Sequence, residues 1–276
     1  MSYNFKNYNV GKIFIKMIND KYKKIKNLNR NNKYYIYGIH SVQEALKNPK
    51  RKKIFLYVTR NSYQKVSYEI VESKVKFKIL NTKELSSLIS KEITHQGIIL
   101  ETTPLNYDYN FEELCFPKSK NARLVLLDQL YDPQNVGAIL RTSEIFGIQA
   151  VITTKYQSTK ETGTLAKSAS GALEYLPYIR ITNLVNTINS LKKMGYFVIG
   201  LDINSKSCLE ETLKKIGNEP IAIVLGSEGK GLRELTKKNC DFLSKIPFKN
   251  NIFSLNVSSA AAIALYLTRR KVDKKT

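Results

Sequence analysis

The sequence predicts an α/β protein with a small front part followed by a larger domain. After residue 33, short apolar runs alternate with stretches of helical periodicity, and the connections between them are short. Residues 104–120 interrupt this alternation with Pro104, Pro117 and several polar residues, which is typical of a linker. We therefore divide the chain into a basic, flexible extension (1–33), an α/β domain (34–103), a linker (104–120) and a second α/β domain (121–276).

The front domain is predicted to alternate strands and helices. The predicted strands are Tyr34–Tyr37, Ile54–Val58, Phe77–Leu80 and Ile98–Glu101, and the second is expected to be buried. The predicted helices are Ile39–Leu46, Tyr63–Glu72 and a helix capped by Thr82 that runs through Leu88.

The second domain contains continuous apolar runs, which predict buried strands. These strands are Arg123–Leu127, Gln149–Thr153, Tyr196–Leu201 and Ile221–Leu225. One helix is expected to start at about Asn135, another to span 183–194, and a third to follow the Ser/Asn-rich segment 254–259. The Thr/Ser/Lys-rich stretch 154–170 is assigned no element.

The net charge of +22 predicts a polyanionic partner, most simply nucleic acid. In the front domain Tyr57 and Tyr63 are interleaved with basic side chains, a combination that suits single-stranded RNA; an ordinary solvated surface is the alternative. The basic side chains are Lys47, Lys50, Arg51, Lys52, Lys53 and Arg60.

Several classes of protein are disfavoured by composition and motifs. No run approaches the ~20 apolar residues of a membrane span, so no membrane partner is expected. Three scattered cysteines and two histidines indicate a reducing compartment and no metal site. A G-x-S-x-G hydrolase elbow and a dinucleotide G-x-G-x-x-G fingerprint are both missing.

Polar residues cluster at two places where a strand gives way to a helix. Asn135 and Arg141 follow the first strand of the second domain, and Glu228 lies in the glycine-rich turn Gly226–Leu232. Open parallel sheets bind ligands at the carboxyl ends of their strands, so a pocket is expected there. The simpler interpretations are a capping asparagine, a surface arginine and a carboxylate attracted to a helix start.

Three motifs carry a resemblance to a known family. NVGAILRT, IVLGSEGKGL and IPFKNNIFSLNVSSA, in this order, resemble motifs 1, 2 and 3 of the SpoU/TrmH family of RNA ribose 2′-O-methyltransferases. The front domain, from YGIHSVQEAL to THQGIIL, resembles the substrate-binding domain of bacterial 23S rRNA guanosine 2′-O-methyltransferases. The resemblance covers nearly everything after residue 33.

The resemblance implies an L30e-like front domain and a SPOUT catalytic domain with a deep trefoil knot. It also implies S-adenosylmethionine as the cofactor, methyl transfer to a guanosine 2′-OH of 23S rRNA, and a homodimer. Gly226, Ile246 and Leu255 match positions at which the family's backbone contacts the cofactor. The positions of the family's catalytic cluster are occupied by Asn135, Arg141, Glu228, Ser254 and Asn256.

Arginine is proposed in the family as the base, but a guanidinium stays protonated in proteins. We therefore expect Arg141 mainly to hold the target phosphate and ribose, with Glu228 and Asn256 orienting Arg141 and the ribose. Asn250 stands where the family usually has glycine. Asparagine tolerates left-handed geometry, so the loop is expected to survive, and cofactor affinity is the property this change affects.

Two other functions remain open. A tRNA ribose 2′-O-methyltransferase is disfavoured by the front domain, which the tRNA enzymes usually lack. A non-catalytic RNA-binding ribosome-assembly factor is disfavoured because Asn135, Arg141, Glu228 and Asn256 occur together. The expected location is the cytoplasm, or an organelle if residues 1–33 are a presequence.

Overall fold

The computed structural model describes residues 33–90, 92–105, 110–247 and 255–269. Its strands form two sheets, one of four strands from the front part and one of six strands from the rest of the chain. The predicted α/β class is confirmed. The domain boundaries stay a prediction, as does the trefoil knot, since residues 248–254 of motif 3 and the extension 1–32 lie outside the described residues.

The front sheet has the strand order β1-β4-β2-β3, with β2 antiparallel to β4 and parallel to β3. Its strands are β1 (Tyr34–Tyr37), β2 (Lys53–Val58), β3 (Phe77–Ile79) and β4 (Ile98–Thr102). The helices of this part are α1 (Ile39–Lys47), α2 (Arg60–Ser73) and α3 (Thr82–Leu88).

Two details of the front part differ from the sequence-based expectation. Strand β2 is only half-buried, because Ile54 faces solvent and Leu56 and Val58 alone are fully covered. The N-cap of α3 is Asn81 rather than Thr82. The Asn81 side chain accepts from the Glu84 N–H at 3.0 Å, and the Glu84 carboxylate accepts from the Asn81 N–H at 2.9 Å, a reciprocal capping box.

The second sheet has the order β10-β8-β9-β5-β6-β7, and all of its strands are parallel. The strands are β5 (Arg123–Asp128), β6 (Ala150–Thr154), β7 (Tyr178–Ile181), β8 (Phe197–Leu201), β9 (Ile221–Gly226) and β10 (Phe242–Ser244). The helices are α4 (Phe111–Cys115), α5 (Pro133–Ile145), α6 (Gly163–Ala169), α7 (Leu184–Lys193), α8 (Leu209–Ile216), α9 (Glu234–Asn239) and α10 (Val257–Thr268).

Six short elements were not predicted from the sequence. Helix α4 lies within the predicted linker, where Asn110 caps it and Cys115 is buried against the core of the sheet. Helix α6 lies in the Thr/Ser/Lys-rich stretch, where the Thr162 hydroxyl accepts from the Leu165 N–H at 3.1 Å. The other four are β7, the 3-10 turn Ala172–Glu174, α8 and β10. A helix was predicted directly after the glycine-rich turn, and α9 begins there only at Glu234.

A buried ion cluster joins the front part to the second domain. Arg51 is only 2% exposed, and its Nη2 and Nε donate to the two carboxylate oxygens of Glu174 at 2.5 and 3.1 Å. Its Nη1 donates to Glu161 Oε1 at 2.7 Å and to the Thr103 carbonyl at 2.9 Å. Asn48 Nδ2 completes the cluster on Glu174 Oε2 at 2.8 Å. Arg51, expected among the RNA-facing cations, is instead an internal link.

Candidate active site

The site lies at the carboxyl edge of the parallel sheet, where the strand order reverses. From β5 the chain moves outward to β6 and β7, then crosses to β8 and returns with β9 to pair with the other side of β5. Asp128 at the end of β5 is in register with Gly226 at the end of β9. A crevice outside such a reversal is the usual ligand site of an open α/β sheet.

The first part of the site is the start of α5. The helix begins at Pro133, two residues before the expected start, and Asp132 is its cap. The Asp132 carboxylate accepts from the Gln134 N–H at 3.0 Å and from the Asn135 N–H at 3.4 Å. Because Asp132 does the capping, the side chain of Asn135 is free to interact beyond its own helix.

Glu228 lies in a tight turn rather than at a helix start. Ser227 and Gly231 close the turn with two backbone hydrogen bonds, of 3.1 and 2.9 Å. The next helix, α9, begins only at Glu234. A Cβ on Gly226 would lie 2.2 Å from the carbonyl carbon of Gly231, so only glycine allows the turn to fold onto the end of β9.

Asn256 is the N-cap of α10. Its Oδ1 accepts from the Ser258 N–H at 2.8 Å and from the Ser258 hydroxyl at 2.6 Å, which fixes the orientation of the amide. Its Nδ2 then donates to Asn135 Oδ1 at 3.0 Å and to Glu228 Oε1 at 2.9 Å. Asn135 Nδ2 donates to the same oxygen at 2.7 Å. These three residues, far apart in sequence, form one connected group, the Asn–Glu–Asn cluster.

The cluster leaves one strong acceptor for a ligand. Both amides donate to Oε1 of Glu228, and no group in the described part of the chain donates to Oε2. The Glu228 side chain is exposed at the sheet edge. A fixed carboxylate oxygen of this kind can accept a hydrogen bond from a hydroxyl group of a bound substrate.

Arg141 lies apart from the cluster, in a neighbouring cleft. It is exposed, and its guanidinium donates no hydrogen bond within the described ranges. The cleft has a volume of about 620 Å³ and separates helices α5 and α6 from the loops of the front part. Gln134, directly before Asn135, also lines it, so cleft and cluster adjoin at the first turn of α5. Residues facing this Arg141 cleft include Tyr37, His40, Gln96, Gln134, Arg141 and Lys167.

His95 supports one wall of the cleft in its neutral form. Its Nδ1 accepts from the Gly97 N–H at 3.1 Å, and its Nε2 is 2.9 Å from the Ser86 hydroxyl. Burial, together with the charge of Lys167, lowers the pKa of His95 from its usual value. His95 therefore holds the loop that carries Gln96 only while its ring is unprotonated.

The remaining predicted residues border the same edge. Gly226 ends β9, Ile246 is half-buried just after β10, and Leu255 precedes α10 with 50% of its surface exposed. Ser254 and Asn250 lie outside the described residues. The exposed apolar side chain of Leu255 would suit contact with the apolar part of a nucleoside such as S-adenosylmethionine, which Gly226, Ile246 and Leu255 would hold at this edge.

Sequence reasoning missed the other residues of the cleft. Gln134 belongs to none of the three motifs, Gln96 lies in THQGIIL but was given no role, and Lys167 lies in the stretch to which no element was assigned. A Lys on a short helix becomes visible as a site residue only once α6 is seen packed beside α5. Within the described ranges there is no group of three or more potential metal ligands, and no helix is long and apolar enough to cross a membrane.

Comparison with known proteins gives two matching families. Residues 122–266 match the SpoU rRNA methylase family, and residues 35–108 match the family of RNA 2′-O ribose methyltransferase substrate-binding domains. Among curated relatives, the 23S rRNA (guanosine-2′-O-)-methyltransferase RlmB of Coxiella burnetii is 38% identical over 245 residues, covering 86% of this chain and 95% of the relative.

A second relative and a solved structure agree with this. The 23S rRNA (guanosine-2′-O-)-methyltransferase RlmB of Blochmanniella floridana is 35% identical over 246 residues, which is 86% of this chain and 94% of that protein. The SpoU methyltransferase AviRb of Streptomyces viridochromogenes, solved with the cofactor AdoMet, superposes with a TM-score of 0.72 at 18% identity. That superposition covers 90% of this chain and 93% of AviRb, and it shows a shared fold. The chain therefore belongs to the SpoU rRNA methylase family.

Proposed function

We propose that this protein transfers a methyl group from S-adenosylmethionine to the ribose 2′-OH of a guanosine in 23S rRNA. The observation that carries the proposal is the Asn–Glu–Asn cluster, which gathers three motif residues at the sheet reversal beside a cationic cleft. The relatives named above act on this substrate by their names, and the front part matches a substrate-binding family for ribose methylation.

The cluster positions the ribose. When bound, the cofactor supplies an activated methyl group on a sulfonium, and the remaining task is alignment with the hydroxyl and removal of its proton. Glu228 Oε2 accepts a hydrogen bond from the ribose hydroxyl and takes its proton as the methyl group is transferred. Asn135 and Asn256 hold Oε1 and so set the direction of the carboxylate. Gly226, Ile246 and Leu255 border the place of the cofactor at the same edge, and Ser254 belongs to the same motif.

Arg141 holds the RNA rather than taking its proton. Its guanidinium remains charged and offers two parallel donors, which suits a phosphate next to the target ribose. Lys167 lines the same cleft and adds a second positive charge. The wall opposite, from the front part, makes the cleft a track for the RNA backbone.

The protein acts as a homodimer in this proposal. Helices α5 and α10 pack together, and both present apolar side chains to solvent. Ile145 on α5 is 70% exposed and Tyr266 on α10 is 58% exposed, with Ile263 beside it on the same helix. Exposed apolar side chains on two packed helices are the kind of surface that a second copy covers. The place of action is where 23S rRNA is found, the bacterial cytoplasm or an organelle.

One experiment tests the proposal directly. The purified chain is incubated with S-adenosylmethionine and with unmodified 23S rRNA or unmodified tRNA, and 2′-O-methylation is mapped along each. A single methylated guanosine in 23S rRNA is expected. Methylation of tRNA alone would mean that tRNA, rather than 23S rRNA, is the substrate. Cofactor binding without methylation of either RNA would favour an assembly factor. Calorimetry with the cofactor separates that last outcome from a protein that binds RNA only.

A further inference from the structure

A second, smaller cavity opens at the carboxyl ends of β5, β6 and β7. Its volume is about 200 Å³, and it lies on the side of β5 away from β9. Thr154, the last residue of β6, and Asn183, the N-cap of α7, both line it. Gln129, Tyr156 and Arg233 also line the cavity. The cavity is distinct from the Arg141 cleft, with which it shares no lining residue.

Arg233 is fixed at the cavity through one end of its guanidinium. Asp128, only 1% exposed, accepts from Arg233 Nε at 2.7 Å and from the Arg233 backbone N–H at 3.1 Å. The terminal Nη1 and Nη2 groups donate to nothing in the described part of the chain. A buried carboxylate thus holds the guanidinium in place and leaves its fork of two donors open.

The rim carries an aromatic ring and two amides. Tyr156 is 73% exposed, and its ring stacks on no other ring of the described residues. Gln129 and Gln157 both adopt left-handed backbone geometry, with φ of 60° and 55°, and their side-chain amides hydrogen bond to each other. Two non-glycine residues in this rare conformation present their amides to the cavity mouth.

We propose that this cavity binds the guanine base of the target nucleotide, with Arg233 as the residue that determines base specificity. The inference rests on the proposed function. The fork of an arginine matches the O6 and N7 acceptors of guanine, and an exposed tyrosine ring suits stacking on a base. The volume is below the ~300 Å³ at which pockets for drug-sized ligands begin, so it suits a single ring system.

The position of the cavity agrees with a base whose ribose lies at the Asn–Glu–Asn cluster. The segment from Gln129 to Asn135 runs from the cavity to the cluster after β5, and the segment from Glu228 to Arg233 runs back after β9. Both segments leave neighbouring strands at one sheet edge. In the proposed complex the base and the ribose of one nucleotide would lie on the two sides of the β5 terminus.

The test replaces one acceptor of the base. A 23S rRNA fragment is prepared with guanosine or 7-deazaguanosine at the mapped target position, which deletes the N7 acceptor. A complete bidentate pair is equivalent to about 5- to 140-fold. Because only one of its two acceptors is lost, we expect the kcat/KM of the unaltered enzyme on the 7-deaza RNA to fall by about 5-fold or more and by less than that upper value. Arg233→Lys keeps a positive charge beside Asp128 but lacks the two parallel donors of the guanidinium. This variant is expected to have the same kcat/KM on the two RNAs.

Matched variants and binding measurements separate the outcomes. Lys238→Gln removes an exposed charge from α9 outside the cavity and is expected to keep the full preference for guanosine. Thermal unfolding of Arg233→Lys checks that the ion pair is retained, and Tyr156→Ala, which does not touch Asp128, is expected to raise KM for both RNAs.

The inference is overturned if the unaltered enzyme uses both RNAs equally, or if Arg233→Lys still prefers guanosine. It is also overturned if only a flanking 7-deazaguanosine has an effect, or if Arg233→Lys weakens S-adenosylmethionine binding and leaves base preference intact. Absence of methylation on every RNA would instead refute the proposed function itself.

Discussion

The carboxylate of Glu228 receives two amide donors on a single oxygen, and this sets its role at the residue scale. We predict that Glu228→Ala lowers kcat by about 100-fold, since loss of ribose alignment by about 1 Å costs that much. Calorimetry should show unchanged cofactor binding. Glu210→Ala, which removes an exposed carboxylate from α8, is the matched control and should retain activity. Normal turnover by Glu228→Ala would show that the Asn–Glu–Asn cluster has no role in the reaction.

Arg141 is predicted to act on the RNA. Arg141→Ala should weaken RNA binding for all sequences and reduce the slope of log K against log salt by about 1, as for loss of one phosphate contact. Arg141→Lys should keep most of that slope because it keeps the charge. If Arg141→Lys bound RNA normally yet lost all turnover, a positioning role would be insufficient.

His95 is predicted to make stability depend on pH. Its folded-state pKa is lowered, so the folded protein binds the proton less readily than the unfolded chain. Its contribution to stability is complete above the ordinary histidine pKa of about 6.5 and is lost as the pH falls through and below that value. Urea unfolding between pH 8 and 5 should show this loss, and His95→Gln should have a flatter profile. Equal profiles would mean that the ring titrates freely in the folded protein.

Sequence reasoning named the three residues that meet in the cluster and expected the cap at Asn256, but it misjudged how the other two are held. Asn135 was weighed as a cap and Glu228 as a helix-start carboxylate, whereas Asp132 caps α5 and Glu228 lies in a closed turn. The difference arises because adjacent polar side chains compete to cap the same helix. The sequence alone does not determine which of them forms the hydrogen bond. The roles of these residues, of Arg141 and of Ser254 stay predictions.

At the scale of elements, the turn after β9 depends on two glycines in different ways. Gly226 has no room for a Cβ, while Gly229 has open space but a φ of 79°. We predict that Gly226→Ala opens the turn, displaces Glu228 and abolishes methyl transfer, at a cost of about 1–3 kcal/mol or more in stability. Gly229→Ala should cost only about 1–2 kcal/mol and keep activity. Thermal unfolding and turnover of the two variants give the comparison, and equal effects would contradict it.

Most of the longer elements were predictable, whereas several short ones in the second domain were not. β5 and β9 are continuous apolar runs, and α7 has a clear amphipathic period, so pattern alone located them. β10 has three residues, and α4 has five. Too few side chains are present there to define a period, and packing onto the large sheet stabilises them.

At the scale of the whole molecule, Arg51 connects two parts of the chain that the sequence separates by a linker. We predict that Arg51→Met destabilises the protein by about 3–5 kcal/mol, because the buried carboxylate of Glu174 would lose its cation. Lys47→Met, which breaks an exposed pair with Glu44, should cost less than about 1 kcal/mol. Urea unfolding measures the free energy of unfolding of both variants. Similar losses of stability would contradict the distinction between the buried and the exposed ion pair.

This link could not have been foreseen from sequence. Arg51 stands in a run of basic residues, which favours a solvated or RNA-facing role, and its partners are more than a hundred residues away. The pattern of charges along the sequence shows which charges a segment carries. The burial of a residue depends instead on which distant part of the chain packs over it. The α/β class, in contrast, follows from local alternation and was predicted correctly.

The position of β9 between β8 and β5 has a consequence for synthesis of the protein. As the chain leaves the ribosome, β5, β6 and β7 can pair early, but β5 keeps one open edge until Ile221–Gly226 emerge. Parallel pairing between such distant segments forms slowly, and an unpaired strand edge invites association between nascent chains. A ribosome that stalls before β9 therefore releases a product prone to aggregation, even though most of the strands are already made.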